Sequence, residues 1–112
     1  MIEWDLRVIA ASTLRRFVAS LKGRIDQRAV EANLEAWNEE VLRASWKTSA
    51  DIKRQYSTAS ILNSERVVFN IKGNDYRLVT AIDYQRQIVF IKWIGTHKQY
   101  DKIDAVTVRH EP

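Results

Sequence analysis

The sequence predicts an α+β fold, with two N-terminal helices packed on one face of a small antiparallel sheet, and three observations carry that prediction. Apolar residues recur at helical spacing twice before residue 45. They then alternate in three consecutive runs, "RVVFNI", "YRLVTAID" and "IVFIKWIG". The first two runs are joined by "KGND", a hairpin signal. With three Gly and one Pro, the chain has no linker long enough to divide it, so a single domain over 1–112 is expected.

Taken in order, "LRVIA" sets Leu6, Val8 and Ala10 against Arg7 and Ile9, which predicts a short strand over 6–10. Ser12 then offers an N-cap. From there Leu14, Phe17 or Val18, and Leu21 recur at helical spacing until Gly23, a C′ residue suited to the left-handed region. Asp26 caps a second helix whose stripe is Val30, Leu34, Trp37 and Val41, with Glu31, Glu35 and Glu39 on its other faces, ending near Ala44. The segment "WKTSADIKRQYSTASILNSE" gives Ser49 as the cap of one or two turns to about Tyr56, and is otherwise loop.

Gly73 and Asn74 suit a two-residue type II′ turn, because Gly at the first central position tolerates positive φ. That turn pairs Ile71 with Tyr76, Asn70 with Arg77, Phe69 with Leu78 and Val68 with Val79. A second loop at Gln85 and Arg86 pairs Ile82 with Val89, Thr80 with Ile91, Val79 with Lys92 and Leu78 with Trp93. Side chains alternate between faces. Phe69, Leu78, Thr80, Ile82, Val89, Ile91 and Trp93 therefore form the face for the helices, and Val68, Asn70, Arg77, Val79, Ala81, Asp83, Phe90 and Lys92 the other.

At 46% hydrophobic and 29% charged, the 112 residues have the balance of a chain that buries a core. A domain of this length buries roughly two-thirds of its unfolded surface, so four Trp, three Phe and the aliphatics suffice without staples. Having no Cys, the chain has no disulfides, thiolate zinc sites, iron–sulfur clusters or Cys nucleophiles. No apolar run approaches the ~18 residues of a membrane span, and "MIEWDLRVIAAS" lacks the basic and long apolar regions of a signal peptide. A cytoplasmic protein with no membrane partner is expected. The net charge of +4 lies entirely in the second part: residues 1–44 balance seven basic against seven acidic, and residues 45–112 hold eleven against seven. This excess, spread over a folded surface and not gathered in a tail, passes a first screen for a polyanion-binding domain.

In "GTHKQYDKID", His97, Tyr100 and Asp101 stand at i, i+3 and i+4, on one face if the segment makes a helical turn. An imidazole, a phenol and a carboxylate that orients the imidazole are parts of acid–base chemistry. Read plainly, they are a solvated loop residue, a staple on the last strand and a helix cap. Arg77, Lys92 and Asn70 share the second sheet face across three strands, a patch that suits a phosphate, Arg through its fork and Lys as a point charge. The plainer reading is solvated charge and a cross-strand amide. Lys47, Lys53 and Arg54 extend the patch from the loop. The four Trp, at 4, 37, 46 and 93, are expected as core or loop anchors, with Trp46 and Phe90 as candidate base-stacking platforms. His97 and His110 are the only histidines, and no HExxH, Gly-rich phosphate loop or DxD-like pair occurs. No metal and no cofactor are expected.

The runs "SWKTSADIKRQYSTASIL", "RVVFNIKGNDYRLVTAIDY" and "IVFIKWIGTHKQYDKID" resemble the HigB-type toxins of bacterial type II toxin–antitoxin modules, in the RelE-like superfamily of mRNA interferases. The likeness runs from "LRVIAASTLRRF" to "KID" and leaves "MIEWD" as a small extension. It implies a RelE-like domain whose second sheet face and C-terminal segment bind RNA. It also implies a ribosome-dependent, metal-independent endoribonuclease cutting mRNA in the A site, neutralised by a helix-turn-helix antitoxin, with operator DNA bound only by the toxin–antitoxin complex. In the chemistry expected of that class, the ribose 2′-hydroxyl attacks the adjacent phosphate and the 5′-oxygen leaves, giving a 2′,3′-cyclic phosphate. The roles implied here are phosphate stabilisation by Arg77 and Lys92, proton handling by His97 and Tyr100, and orientation of His97 by Asp101. RNA contacts fall to Lys53, Asn70, Asn74, Lys92 and Lys98, with Lys53 also a candidate proton carrier. The alternative is a non-catalytic RNA- or ribosome-binding module of the same fold.

Overall fold

The computed structural model describes residues 6–109; Trp4 and His110 lie outside them. β1 (Arg7–Ile9) leads into α1 (Ala11–Ser20), α2 (Gln27–Leu42) and α3 (Ser49–Gln55). β2 (Ser60–Ile61), β3 (Arg66–Ile71), β4 (Tyr76–Asp83) and β5 (Ile88–Thr96) follow, and a single turn, α4 (His97–Tyr100), closes the order. The strands form one sheet in the order β1-β5-β4-β3-β2. It is mixed, and not antiparallel throughout as expected, because β1 runs parallel to β5 while the other three pairings are antiparallel. β1 reaches that edge from far along the chain, through the helices and the hairpins, so no tight turn dictates its direction.

Helix ends follow local constraints. Only Ala10 separates β1 from α1, and the chain reverses there in the left-handed region at φ 70. Ser12 is therefore in the first turn and not the cap, accepting from Arg16 Nη1 at 3.3 Å. Gly23 is left-handed at φ 88, but in the turn after the helix and not at C′. Asp26 stands at the N-cap of α2, yet its carboxylate is spent elsewhere: Oδ2 accepts from the Tyr76 hydroxyl at 2.6 Å and Oδ1 from Arg24 Nε at 3.2 Å. α3 is capped by Thr48 instead of Ser49, since Asp51 then falls at N3 and accepts from the N–H groups of Lys47 and Thr48.

Leu14 and Leu21 of α1 and the α2 stripe of Val30, Leu34, Trp37 and Val41 share one buried cluster with Phe69, Leu78, Ile82, Val89 and Ile91. Phe69 is its aromatic hub, edge-on to Tyr56 at 5.2 Å and Trp37 at 5.4 Å and stacked on Trp46 at 6.0 Å. Each such pair adds about 0.5–1.5 kcal/mol beyond its burial. Trp46 is thus a core residue, 1% exposed, and no base-stacking platform.

The first hairpin has the register its turn dictates, from Ile71–Tyr76 to Val68–Val79. Gly73 is left-handed at φ 64, and Lys72 before it also, at φ 53. The second hairpin keeps Ile82–Val89 and Thr80–Ile91, then slips. Val79 faces Trp93 and Leu78 faces Ile94, so Lys92 is the extra residue of a β-bulge. Past the bulge the faces are exchanged: Ile94 enters the helix-side core in the place expected for Trp93, and Trp93 packs on the other face. That face is not open. Val68 and Val79 are buried there with Ala105, and Ile103 and Val108 pack against them, so the C-terminal segment covers the middle of the sheet. Arg66 ties that segment down, Nη1 donating to the carbonyls of Ala105 at 3.3 Å and Val108 at 2.7 Å.

Tyr76 bolts α2 to the sheet. Its ring is buried, edge-on to Phe17 at 5.7 Å, and its hydroxyl is the foremost cause holding the Asp26 carboxyl below the ordinary carboxylate range, with Arg24 adding to it. An acid with a lowered folded pKa stabilises the fold above its unfolded pKa, about 4, and that contribution is lost as pH falls through the folded value. Tyr76→Phe is therefore expected to lower the urea midpoint at neutral pH and to flatten its decline between about pH 5 and pH 2, followed by tryptophan fluorescence.

Candidate functional site

The sheet end where β4 begins and β5 finishes gathers most of the candidate residues. Tyr76 pairs with Thr96 and Arg77 with Gly95. Thr96 then caps α4, its hydroxyl accepting from the Gln99 N–H at 3.1 Å while Gln99 Oε1 accepts from the Thr96 N–H at 2.9 Å. The His97 N–H donates to the Asp75 carbonyl at 2.9 Å, fastening the turn to the β3–β4 loop.

This turn lays Tyr100 between two side chains of the outer face. The Arg77 guanidinium carbon is 5.9 Å from the Tyr100 ring centroid, a cation–π distance, and the Trp93 ring lies 6.4 Å from the same ring on a tilt of 50°. Asn74 fixes the guanidinium from the other side: its carbonyl accepts from Nη1 at 2.9 Å and its Oδ1 from Nη2 at 2.5 Å, with the Tyr76 carbonyl 3.3 Å from Nη1. Those contacts use three of the five N–H groups of an arginine. Among the described residues the other two meet no acceptor.

Space for the stack comes from Gly95. A Cβ there would stand 2.4 Å from the Trp93 indole and 2.8 Å from Gln99 Oε1, far inside contact distance, so glycine is required by close approach. The order Arg77, Tyr100, Trp93 is thus built over a missing side chain.

His97, Tyr100 and Asp101 do share one turn, with Asp101 as its C-cap. His97 Nε2 is 3.8 Å from Asp101 Oδ1, an ion-pair separation when the imidazole is protonated but too long for a hydrogen bond. His97, Lys98 and Asn74 line an open cleft of about 380 Å³ with Arg24, Asp26, Asp75, Tyr76 and Thr96. Asn70 is the cross-strand partner of Arg77. Two lysines stand apart. Lys92, at the bulge, lays its ammonium over the Phe90 ring at 5.4 Å, away from the Arg77 end of the strand. Lys53 donates to the carbonyls of Ser57 at 2.6 Å and Ala59 at 2.8 Å, closing the loop behind α3.

Trp93 and Gly95 escaped the sequence reading as site residues because both depend on the bulge. The available signal was a glycine two places after a tryptophan in one strand, where same-face side chains meet. Arg24 carried no local signal at all.

Chemically, the arrangement offers a fixed cation stacked on a phenol, with an imidazole on the same turn as the phenol, the elements for holding a phosphodiester within one region of proton-carrying groups. Among the described residues no three His, Cys, Asp or Glu side chains converge, and no helix is long and apolar enough to cross a membrane.

Residues 30–103 match a family model, HigB_toxin, described as the RelE-like toxic component of a toxin–antitoxin system. Over 39 residues the chain is 41% identical to the mRNA interferase toxin HigB of Escherichia coli strain K12, and equally to proteins named mRNA interferase HigB in Escherichia coli O157:H7 and Shigella flexneri. That stretch takes in 35% of this chain and 38% of each relative.

Adding one carbon at Gly95 tests how the stack is built. Gly95→Ala is expected to cost about 1–3 kcal/mol, the range for overpacking a filled site. A lowered urea midpoint together with a changed near-ultraviolet signal from Trp93 would report it, and an unchanged spectrum would count against the close approach.

Proposed function

We propose that this chain, which belongs to the HigB family of RelE-like toxins of toxin–antitoxin systems, is a ribosome-dependent, metal-independent mRNA endoribonuclease. The single observation that carries the reading is Arg77, held by Asn74 and stacked on Tyr100, with His97 on the same turn as Tyr100. The names of the matched relatives add the substrate class. In fold, the reading is RelE-like, with α1 and α2 laid on one face of the sheet, which the shared helix–sheet cluster supports.

In this reading the 2′-oxygen forms a bond to the adjacent phosphorus as the bond to the 5′-oxygen breaks, leaving a 2′,3′-cyclic phosphate and a 5′-hydroxyl. One of His97 and Tyr100 takes the proton of the 2′-hydroxyl, and the other supplies the proton that the leaving oxygen gains. Arg77 meets the charge that grows on the phosphorane oxygens, where fixed donors contribute most. Asp101 orients His97 once the imidazole is protonated. Lys92, Lys53, Asn70, Asn74 and Lys98 contact RNA, Lys92 and Lys53 from outside the Arg77 stack. The partners are mRNA on the ribosome and a helix-turn-helix antitoxin, with operator DNA bound only through the complex, in the cytoplasm.

Controlled induction in cells, with primer extension on a reporter mRNA, is the test. Wild-type protein is expected to arrest growth and leave translation-dependent cuts, and Arg77→Ala and His97→Ala each to lower cleavage on programmed ribosomes more than tenfold, about 1.4 kcal/mol or more of transition-state stabilisation. Losses under tenfold in both would remove this site. Intact transcripts from folded wild-type protein would favour the non-catalytic RNA- or ribosome-binding module.

A further inference from the structure

The cleft beside the stack has a builder that the catalytic reading does not use. Arg24 comes from the connection between α1 and α2, more than seventy residues before His97 and Lys98, yet all three line one wall system with Asn74. Its place is set by a two-step bracket: Nε donates to Asp26 Oδ1 at 3.2 Å, and Asp26 Oδ2 takes the hydroxyl of the buried Tyr76 at 2.6 Å. Tyr76 is the neighbour of Arg77 in β4, so the two guanidinium groups are tied to one strand from its two faces, Arg24 on the helix side and Arg77 on the outer side.

The charge of the cleft favours an anion. Its two acids are already matched, Asp26 by Arg24 and Asp75 by Lys72 at 2.9 Å. Lys98 is then the uncompensated cation of the lining, and His97 adds a further positive charge whenever it is protonated. The Arg24 guanidinium is restrained by Asp26 at Nε and lies close to the Tyr76 hydroxyl, yet its side chain stays 57% exposed, so of its five N–H groups some are left to face the cleft. Asn74 belongs to this cleft and also holds Arg77, so one residue joins the cleft to the Arg77 stack.

We propose that Arg24, with Lys98, forms a second phosphate subsite that grips the RNA backbone at a phosphate other than the one held by Arg77, with Asp26 and Tyr76 as positioning residues. This rests on the RNA-cleaving reading above. Arg24 contributes to holding the strand and not to the bond-breaking step, because it lines the cleft outside the Arg77 stack.

Cleavage of an mRNA on programmed ribosomes at increasing protein concentration and several salt concentrations tests it, using wild type, Arg24→Gln, Arg24→Lys and Tyr76→Phe, each checked for folding by its urea midpoint. For Arg24→Gln the expected result is a roughly tenfold rise in the half-saturating concentration, a saturated rate within about twofold of wild type, and a salt dependence shallower by about one charge. Arg24→Lys should recover part of the affinity, and Tyr76→Phe should fall between it and Arg24→Gln. Unchanged half-saturation and salt slope in Arg24→Gln, with wild type active, would overturn the subsite and leave the nuclease standing. A loss confined to the saturated rate would also overturn it, placing Arg24 in the chemistry. No cleavage by folded wild-type protein would overturn the reading beneath it and the subsite together.

Discussion

Val79 is opposed by two residues of β5, Lys92 and Trp93, and from that point the pleat of β5 is inverted relative to its first half. Val89 and Ile91 point into the helix-side core before the bulge and Ile94 does so after it. Without the extra residue, Trp93 and Gly95 would face the helices, Arg77 would lose the surface that carries Tyr100, and α4 would emerge on the wrong side. The bulge gives up regular ladder bonding at one place and in return aims an indole, a glycine and a one-turn helix at one end of the outer face.

That outer face is half core and half site. The C-terminal segment, pinned by Arg66, buries Val68 and Val79 and packs Ile103 and Val108 against them. The middle strands are therefore covered on both faces. A guanidinium that must stay in place needs such a base, since a site loosens when the side chains behind it are free to move. Arg77 is held by Asn74 at one end and Tyr100 at the other, and Tyr100 in turn lies against Trp93, which belongs to the covered cluster.

Most elements and one full register were legible in the sequence because their causes are local. Gly73 fixes the first hairpin, and the alternation of Ile82, Val89 and Ile91 fixes the near half of the second. The bulge was not legible, because "KWIG" places apolar residues at both 93 and 94, and with apolar clusters on both faces either phase satisfies the pattern. The parallel docking of β1 and the two-residue β2 depend on distant partners. At the site, the shared turn of His97, Tyr100 and Asp101 followed from spacing, as did the Asn70–Arg77 pairing. The hold of Asn74 on Arg77 and the Asp26–Tyr76 bond did not, since an Asp before a helix reads as a cap until something fifty residues away claims its oxygen. Thr48 was within reach, because a Thr with Asp three residues later is a capping pattern.

Gly95 gives the stack a genetic character as well as a geometric one. Every amino acid that could replace it carries the Cβ that would sit 2.4 Å from the Trp93 ring, so no missense change at that codon is conservative. In the helix-side core, by contrast, some exchanges are mild, Ile to Val costing about 0.5–1.5 kcal/mol. Any nucleotide change at this codon that replaces the glycine therefore disturbs the Arg77 stack while leaving the rest of the reading frame intact.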